Sequence, residues 1–190
     1  MPGMPDLSFA LTSFQQALLR GEIEPEEGDL DKTLFVLRDA PPTGHRLTYA
    51  RIDGKKTVTA FVMVTPVQPI DGVPSFEIGY AVPEAYRGQG RAQDLLRAAI
   101  EEFTKGMASV GVTELYIEAT VGMDGEASKR VANAVLSSSP KHIFDKPSGL
   151  PALRYVRKFE TKTAPPPAAA TPTRRATKAG ATKAARTDRI

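Results

Sequence analysis

The sequence predicts an α+β domain, a mixed and mostly antiparallel sheet flanked by helices. Three observations carry this. Apolar and polar residues alternate in three successive segments between positions 46 and 82. Apolar residues recur at helical spacing in three other stretches. The strand signals come in runs broken by single helices, not in a strict strand–helix alternation.

The first element is a helix. In DLSFALTSFQQALLRG, Asp6 can cap, Leu7, Leu11, Phe14 and Leu18 share a face, and Gly21 suits the stop. Residues 22–45 are acidic and carry prolines. Their apolar patch at 34–37 is too short for its period to separate strand from helix. RLTYARI alternates, Asp53-Gly54 turns, and KTVTAFVMVT alternates again, which reads as a hairpin. VQPIDGVP then reads as a loop. SFEIGYAV is a third strand, with Phe76, Ile78, Tyr80 and Val82 on one face and Glu77, Gly79 and Ala81 on the other. Ala92, Leu95, Leu96, Ala99, Ile100 and Phe103 mark a helix that can run to Gly106. TELYIEAT is a strand and GEASKRVANAVL a shorter helix, and KHIFDK and ALRYVRKFE close the chain's ordered part as two strands.

Composition narrows the function. The chain has 190 residues, 41% hydrophobic and 25% charged, with no cysteine. Disulfides, thiolate metal sites and a cysteine nucleophile are therefore excluded. Two histidines far apart, His45 and His142, argue against a histidine metal site, so no metal is expected. No apolar run reaches membrane-span length, and MPGMPDLSF has no secretory pattern, so a cytoplasmic protein without a membrane partner is expected. Charge is uneven. Of 25 basic and 22 acidic residues, positions 161–190 hold seven and one, leaving 18 against 21 before them. We therefore expect a folded domain over 1–160 and a disordered, basic Ala/Pro/Thr-rich tail over 161–190. The tail reads equally as a nonspecific nucleic-acid arm or as a solubilising segment, and its lack of aromatics argues against base stacking.

One stretch raises a chemical question. In EAYRGQGRAQDLL, Gly88 and Gly90 stand at the start of a helix between Arg87 and Arg91. A helix N-terminus already carries unpaired N–H groups and a positive dipole end, where added cations are unfavourable. An anion between them, phosphate or pyrophosphate, explains the placement. For a short G-x-G alone, the plainer reading is a turn whose arginines pair with Glu84 or water. A Walker loop is excluded because no Lys-Ser or Lys-Thr follows, and a Rossmann fingerprint fails because Gln93 replaces the third glycine.

The surrounding residues add a resemblance. FEIGYAVPEAYRGQGRAQDLLRAAIEEF is similar to the central signature of the GNAT superfamily of acyl-CoA N-acyltransferases, whose loop reads Q/R-x-x-G-x-G/A. Arg87, Gly88, Gln89, Gly90, Arg91 and Ala92 fit that loop, and EASKRVANAVL resembles the family's next helix. The E-I-G-Y strand with its following P-E looks most like the branch of ribosomal-protein N-terminal acetyltransferases. The resemblance covers about residues 46–160. It implies a GNAT-like sheet with splayed central strands and acetyl transfer from acetyl-CoA to a primary amine: a protein N-terminus, a lysine or a small molecule.

Carried over by position, the resemblance implies that the backbone at 87–92 cradles the coenzyme pyrophosphate. The main chain of Tyr80, Ala81 and Val82 would pair with the pantetheine arm where the strands part, and Ser128 would cap its helix or touch the coenzyme. An N–H of Ala81 or Val82 would face the thioester oxygen. For a base, Glu77 and Glu118 lie on the strands expected to flank the gap, with Glu77 preferred and His142 as an alternative. The family's Asn and Tyr positions on the second helix hold Gly125 and Ala132, and LSSSPKH replaces its usual end. These departures leave the acceptor class open. They also keep a second reading: a catalytically weak or inactive acyl-CoA-binding module acting through the tail.

Overall fold

The computed structural model describes residues 7–41 and 44–161. The expected cap at Asp6 and the tail beyond Thr161 lie outside them. Among the described residues three α-helices and eight strands follow in the order α1 (Leu7–Arg20), β1 (Glu26–Glu27), β2 (Leu34–Asp39), β3 (Arg46–Ile52), β4 (Val58–Ile70), β5 (Val73–Ala81), α2 (Arg91–Ser109), β6 (Glu114–Gly122), α3 (Glu126–Val135), β7 (Lys141–Phe144) and β8 (Pro151–Glu160), with one 3-10 turn at Glu84–Tyr86 before α2. All eight strands form one sheet in the order β1-β2-β3-β4-β5-β6-β8-β7. Every neighbouring pair is antiparallel except β5 and β6. This is the mixed α+β sheet the alternation predicts.

Helices cover both faces. On one face α2 and α3 bury Leu95, Leu96, Ala99, Phe103, Ala132 and Val135 against Val62, Ile78, Leu115 and Ile117. Phe76 of β5 meets Phe103 of α2 edge-on at 4.7 Å. A fully buried leucine such as Leu95 contributes about 1.5–3 kcal/mol here. On the opposite face α1 sets Leu11, Phe14 and Leu18 against Ala50, Val58 and Phe61. Gln15 fixes this helix further, donating to the Lys56 carbonyl at 2.8 Å and accepting from the Val58 amide at 2.7 Å.

Both long helices end on a left-handed glycine, Gly21 at φ 69° and Gly111 at φ 85°. The Glu22 amide reaches back to the Ala17 carbonyl and the Val112 amide to Met107, closing each last turn. The expected stop at Gly106 is therefore wrong, because α2 runs through it to Ser109. An interior glycine costs about 1 kcal/mol but does not end a helix whose apolar face continues. The ambiguous patch at 34–37 is strand β2. Glu102 of α2 holds the loop before it, accepting the amides of Asp29 and Leu30 at 2.7 and 2.9 Å.

The hairpin of β3 and β4 is present, but its turn spans residues 53–57, organised by the Asp53 carboxylate accepting the Lys55 and Thr57 amides. The expected loop at 67–74 is the larger difference. It is the far end of a second hairpin, β4 to β5, closed by Asp71 and Gly72 at φ 51° and 78°. Pro69 and Pro74 fall in that expected loop and Pro66 just precedes it, yet each sits where its strand has a free edge. β4 pairs with β3 only as far as Val64, and β5 pairs with β6 only from Ser75. A residue without an N–H is tolerated on such an edge.

Candidate active site

The sheet opens beside β5. The parallel β5–β6 ladder holds Ser75 opposite Tyr116, Phe76 opposite Ile117 and Glu77 opposite Glu118, and it stops there. Both strands continue, β5 to Ala81 and β6 to Gly122, with no further pairing between them. The splay thus begins just past Glu77, earlier than the expected position near Ala81. From residue 78 onward, the edge of β5 that faces β6 directs every second N–H and C=O into the gap.

One cleft, of about 620 Å³, lies where the chain leaves β5. Tyr80, Ala81 and Val82, the loop residues Arg87, Gly88, Gly90, Arg91 and Ala92, and Ser128 of α3 all line it. Gln89 is in the same loop, where its side chain donates to the Ala85 carbonyl at 3.3 Å and accepts from Arg91 Nε at 3.0 Å. Gly88 and Gly90 adopt φ 72° and 76°, and a Cβ on either would meet nothing within 4 Å. Their conformation, not crowding, demands glycine, and the space above the loop stays open.

Two helices begin at this cleft. α2 starts at Gly90 and α3 at Gly125, and neither has a side-chain cap. The capping role expected of Ser128 is therefore not filled; instead its carbonyl accepts the Tyr80 hydroxyl at 2.8 Å, tying β5 to α3. Burial pushes the Tyr80 phenol up to about 12. Arg87, Arg91 and Arg130 border the same space. Arg87 Nε donates to the Val82 carbonyl at 3.0 Å, and Arg91 lies 4.9 Å above the Tyr86 ring. Among the described residues neither forms an ion pair, so pairing with Glu84 does not occur. Uncapped helix N-termini, bare glycines and unneutralised arginines together fit a pyrophosphate, and the free β5 edge fits an amide-bearing arm.

A second cleft, of about 510 Å³, opens on the α1 face of the sheet. Glu77, Glu118, Asp145, Arg154 and Lys146 are its charged groups and Thr65, Gln68 and Thr120 its neutral polar ones, with Met63, Val67, Ile143 and Phe144 as apolar wall. Three carboxylates meet here under different constraints. Glu118 is buried and receives two hydrogen bonds from the Arg154 guanidinium, from Nε at 3.0 Å and from Nη2. Asp145 accepts the Ser148 amide at 2.9 Å and the Ser148 hydroxyl. Glu77 is half-buried and forms no ion pair among the described residues. Burial raises its proton affinity first, and the facing Glu118 charge adds to that; a hydrogen bond from Thr120 works the other way.

The structure thus brings Glu77 and Glu118 together but gives them different surroundings. His142 lies exposed on β7. Arg154, Thr120 and Asp145 were not picked out from the sequence. In ALRYVRKFE, alternation puts Arg154 on one sheet face with Val156 and Lys158, but only the β6–β8 register reveals that this face is the one holding Glu118. Among the described residues no helix is long and apolar enough to cross a membrane.

The sequence profile of the acetyltransferase (GNAT) family matches residues 11–134. No curated protein matches the chain. Among solved structures, a ribosomal-protein-alanine acetyltransferase from Vibrio fischeri is 13% identical over 63% of this chain and 64% of its own, with a TM-score of 0.48. A ribosomal α-N-protein acetyltransferase in complex with coenzyme A is 18% identical over 62% of this chain and 64% of its own, at 0.43. A spermidine N-acetyltransferase from Vibrio cholerae is 15% identical over 59% of this chain and 64% of its own, at 0.42. The chain spans just under two thirds of the length of each of these three. With its profile match running over more than half of its residues, the chain belongs to the GNAT family of acetyltransferases.

Proposed function

We propose that the protein transfers the acetyl group of acetyl-CoA to a primary amine, with Glu77 as the general base. One observation carries this reading. Glu77 is the last residue of β5 that pairs with β6, so it stands where the two strands begin to part, and it lines the cleft on the α1 face.

The bound coenzyme supplies an acyl thioester as electrophile and a thiolate as leaving group. The chain supplies position and proton handling. The 87–92 backbone holds the pyrophosphate, and Tyr80, Ala81 and Val82 align the arm along the open edge of β5. An N–H of Ala81 or Val82 receives the charge that builds on the acyl oxygen. The amine enters from the α1 face, and Glu77 takes the proton it sheds as its nitrogen bonds the acyl carbon. A raised proton affinity suits this, because a base works best with a pKa near the working pH. The Glu118 carboxylate is already engaged by two hydrogen bonds from Arg154. Its charge serves to keep Glu77 proton-seeking.

Three carboxylates, Glu77, Glu118 and Asp145, line the acceptor cleft against two cations, Arg154 and Lys146, which favours a cationic amine, and its open apolar wall admits a peptide end or a lysine as well as a small amine. The E-I-G-Y strand supports a reading nearest the ribosomal-protein N-terminal acetyltransferase branch. The catalytic domain then spans residues 1–160, with 161–190 as a separate basic segment.

The test is thiol release from acetyl-CoA with a panel of amines, for the full chain and for Glu77→Gln. The substitution should lower kcat by about 10²–10⁴-fold while leaving coenzyme affinity within a few-fold. Tight coenzyme binding with no turnover by the unmodified chain on any amine would instead make this a binding module. Equal turnover by both proteins would remove Glu77 from the base role.

A further inference from the structure

The two clefts share one residue among those described. Leu7, the first residue of α1, lines the anion-binding cleft and the acceptor cleft alike. It lies over Gly79, where a Cβ would fall 2.2 Å from Leu7 Cδ1. The bare backbone at 79 is therefore the seat of the Leu7 side chain. Gly79 itself stands between Glu77 and the segment Tyr80–Ala81, in the stretch of β5 that no longer pairs with β6.

We propose that Leu7 sets the length of acyl group the enzyme accepts, by filling the space into which an acyl chain longer than acetyl would extend. This rests on the acyl-coenzyme reading above. An acyl carbon in reach of both Glu77 and the coenzyme cleft has to lie along the Gly79 stretch, and Leu7 is the side chain packed against that stretch from the α1 face. It is a fixed wall rather than a gate. Leu11, Phe14 and Leu18 bury the same helix face, and Gln15 bonds the helix to the β3–β4 turn at two points. Acetyl ends beneath this wall. Butyryl needs two further carbons, and Leu7→Ala removes three.

The experiment uses the full chain and its Leu7→Ala and Leu7→Val variants, with acetyl-, propionyl-, butyryl- and hexanoyl-CoA. Calorimetry reads affinity and thiol release reads kcat/KM, with circular dichroism melts checking that α1 stays folded. The unmodified chain should discriminate against butyryl by about 10-fold or more relative to acetyl, the scale that misfit carbons produce in an apolar pocket. Leu7→Ala should erase most of that preference in both readouts, and Leu7→Val, which disturbs the helix less, should erase part of it. A folded variant that keeps the original preference overturns the inference and leaves the coenzyme reading standing. An unmodified chain that accepts all four acyl groups alike does the same. Failure of the unmodified chain to bind any acyl-CoA overturns the coenzyme reading itself, and the role of Leu7 with it.

Discussion

Replacing Arg154 with methionine probes the carboxylate pair directly. The long apolar side chain keeps the packing of β8 but withdraws the one cation bonded to Glu118 among the described residues. Two consequences can be given magnitudes. Glu118 has a side chain only 10% exposed, so its carboxylate is left buried without a partner, while Arg154, at 35%, is partly screened. Breaking a fully buried pair costs about 3–5 kcal/mol, and the exposure of Arg154 brings the expectation down to about 2–3 kcal/mol. Coulomb repulsion between Glu77 and Glu118 has a similar scale: carboxylates on facing strands about 5 Å apart repel by about 3 kcal/mol at an effective dielectric of 20. For a domain of this size the melting temperature should fall by about 5–10 °C at pH 8.

The pH dependence has a definite sign. A carboxyl group whose proton affinity is raised on folding destabilises the fold once it ionises, and the cost vanishes as it is protonated. Glu77 is raised even with Arg154 present, and losing that cation raises it further. The deficit of the variant should therefore be greatest above the raised pKa of Glu77 and shrink as pH falls through it toward the usual carboxylate range. Melts at pH 8 and pH 5, alongside the pH dependence of kcat/KM, measure this. The acid limb of the activity profile should move to higher pH, since Glu77 must ionise to accept a proton. Equal deficits at the two pH values, or a loss below about 0.5 kcal/mol, would refute the coupling of the two glutamates.

Two further substitutions test the coenzyme side. Gly90→Val places a β-branched residue at φ 76° and adds bulk to the coenzyme cleft. Coenzyme affinity should drop at least about 10-fold, and stability by about 1–2 kcal/mol from the left-handed strain, read by calorimetry and thermal melts. Normal affinity in the folded variant would remove the loop from the pyrophosphate site. Gly79→Ala drives a methyl group into Leu7, which should cost about 1–3 kcal/mol and loosen α1, seen as faster amide exchange in its first turns. An unaltered exchange pattern would mean that Leu7 does not rest there.

The sheet, the helices and their faces were legible because each long segment repeats its apolar residues at one period. The faces of β5 and β6 follow directly from alternation, and so does Glu77 sharing a face with Gly79 and Ala81. Register was not legible. Nothing local to SFEIGYAV or TELYIEAT states that pairing ends at Glu77 and Glu118, or that Arg154 arrives from β8 to hold one of them. The hairpin tip at 67–74 was hidden for a related reason. Proline excludes a strand only where an N–H is needed, and that need is decided by neighbours distant in sequence. In the loop, local chemistry was enough to suggest an anion. That α3 brings a second uncapped N-terminus to the same cleft required the fold.

The free edges of the β4–β5 hairpin have one more consequence. Past Val64 the ribbon reaches beyond its neighbours with backbone groups that no strand of this sheet covers. Such an overhang is a natural template for another chain to add a strand, and thence for aggregation. Pro66 and Pro69 remove two donors from β4 along it, and Pro74 removes one from β5 beside the turn. The features that made this segment look like a loop let it project as a wall of the cleft on the α1 face while offering a partner strand little to hold.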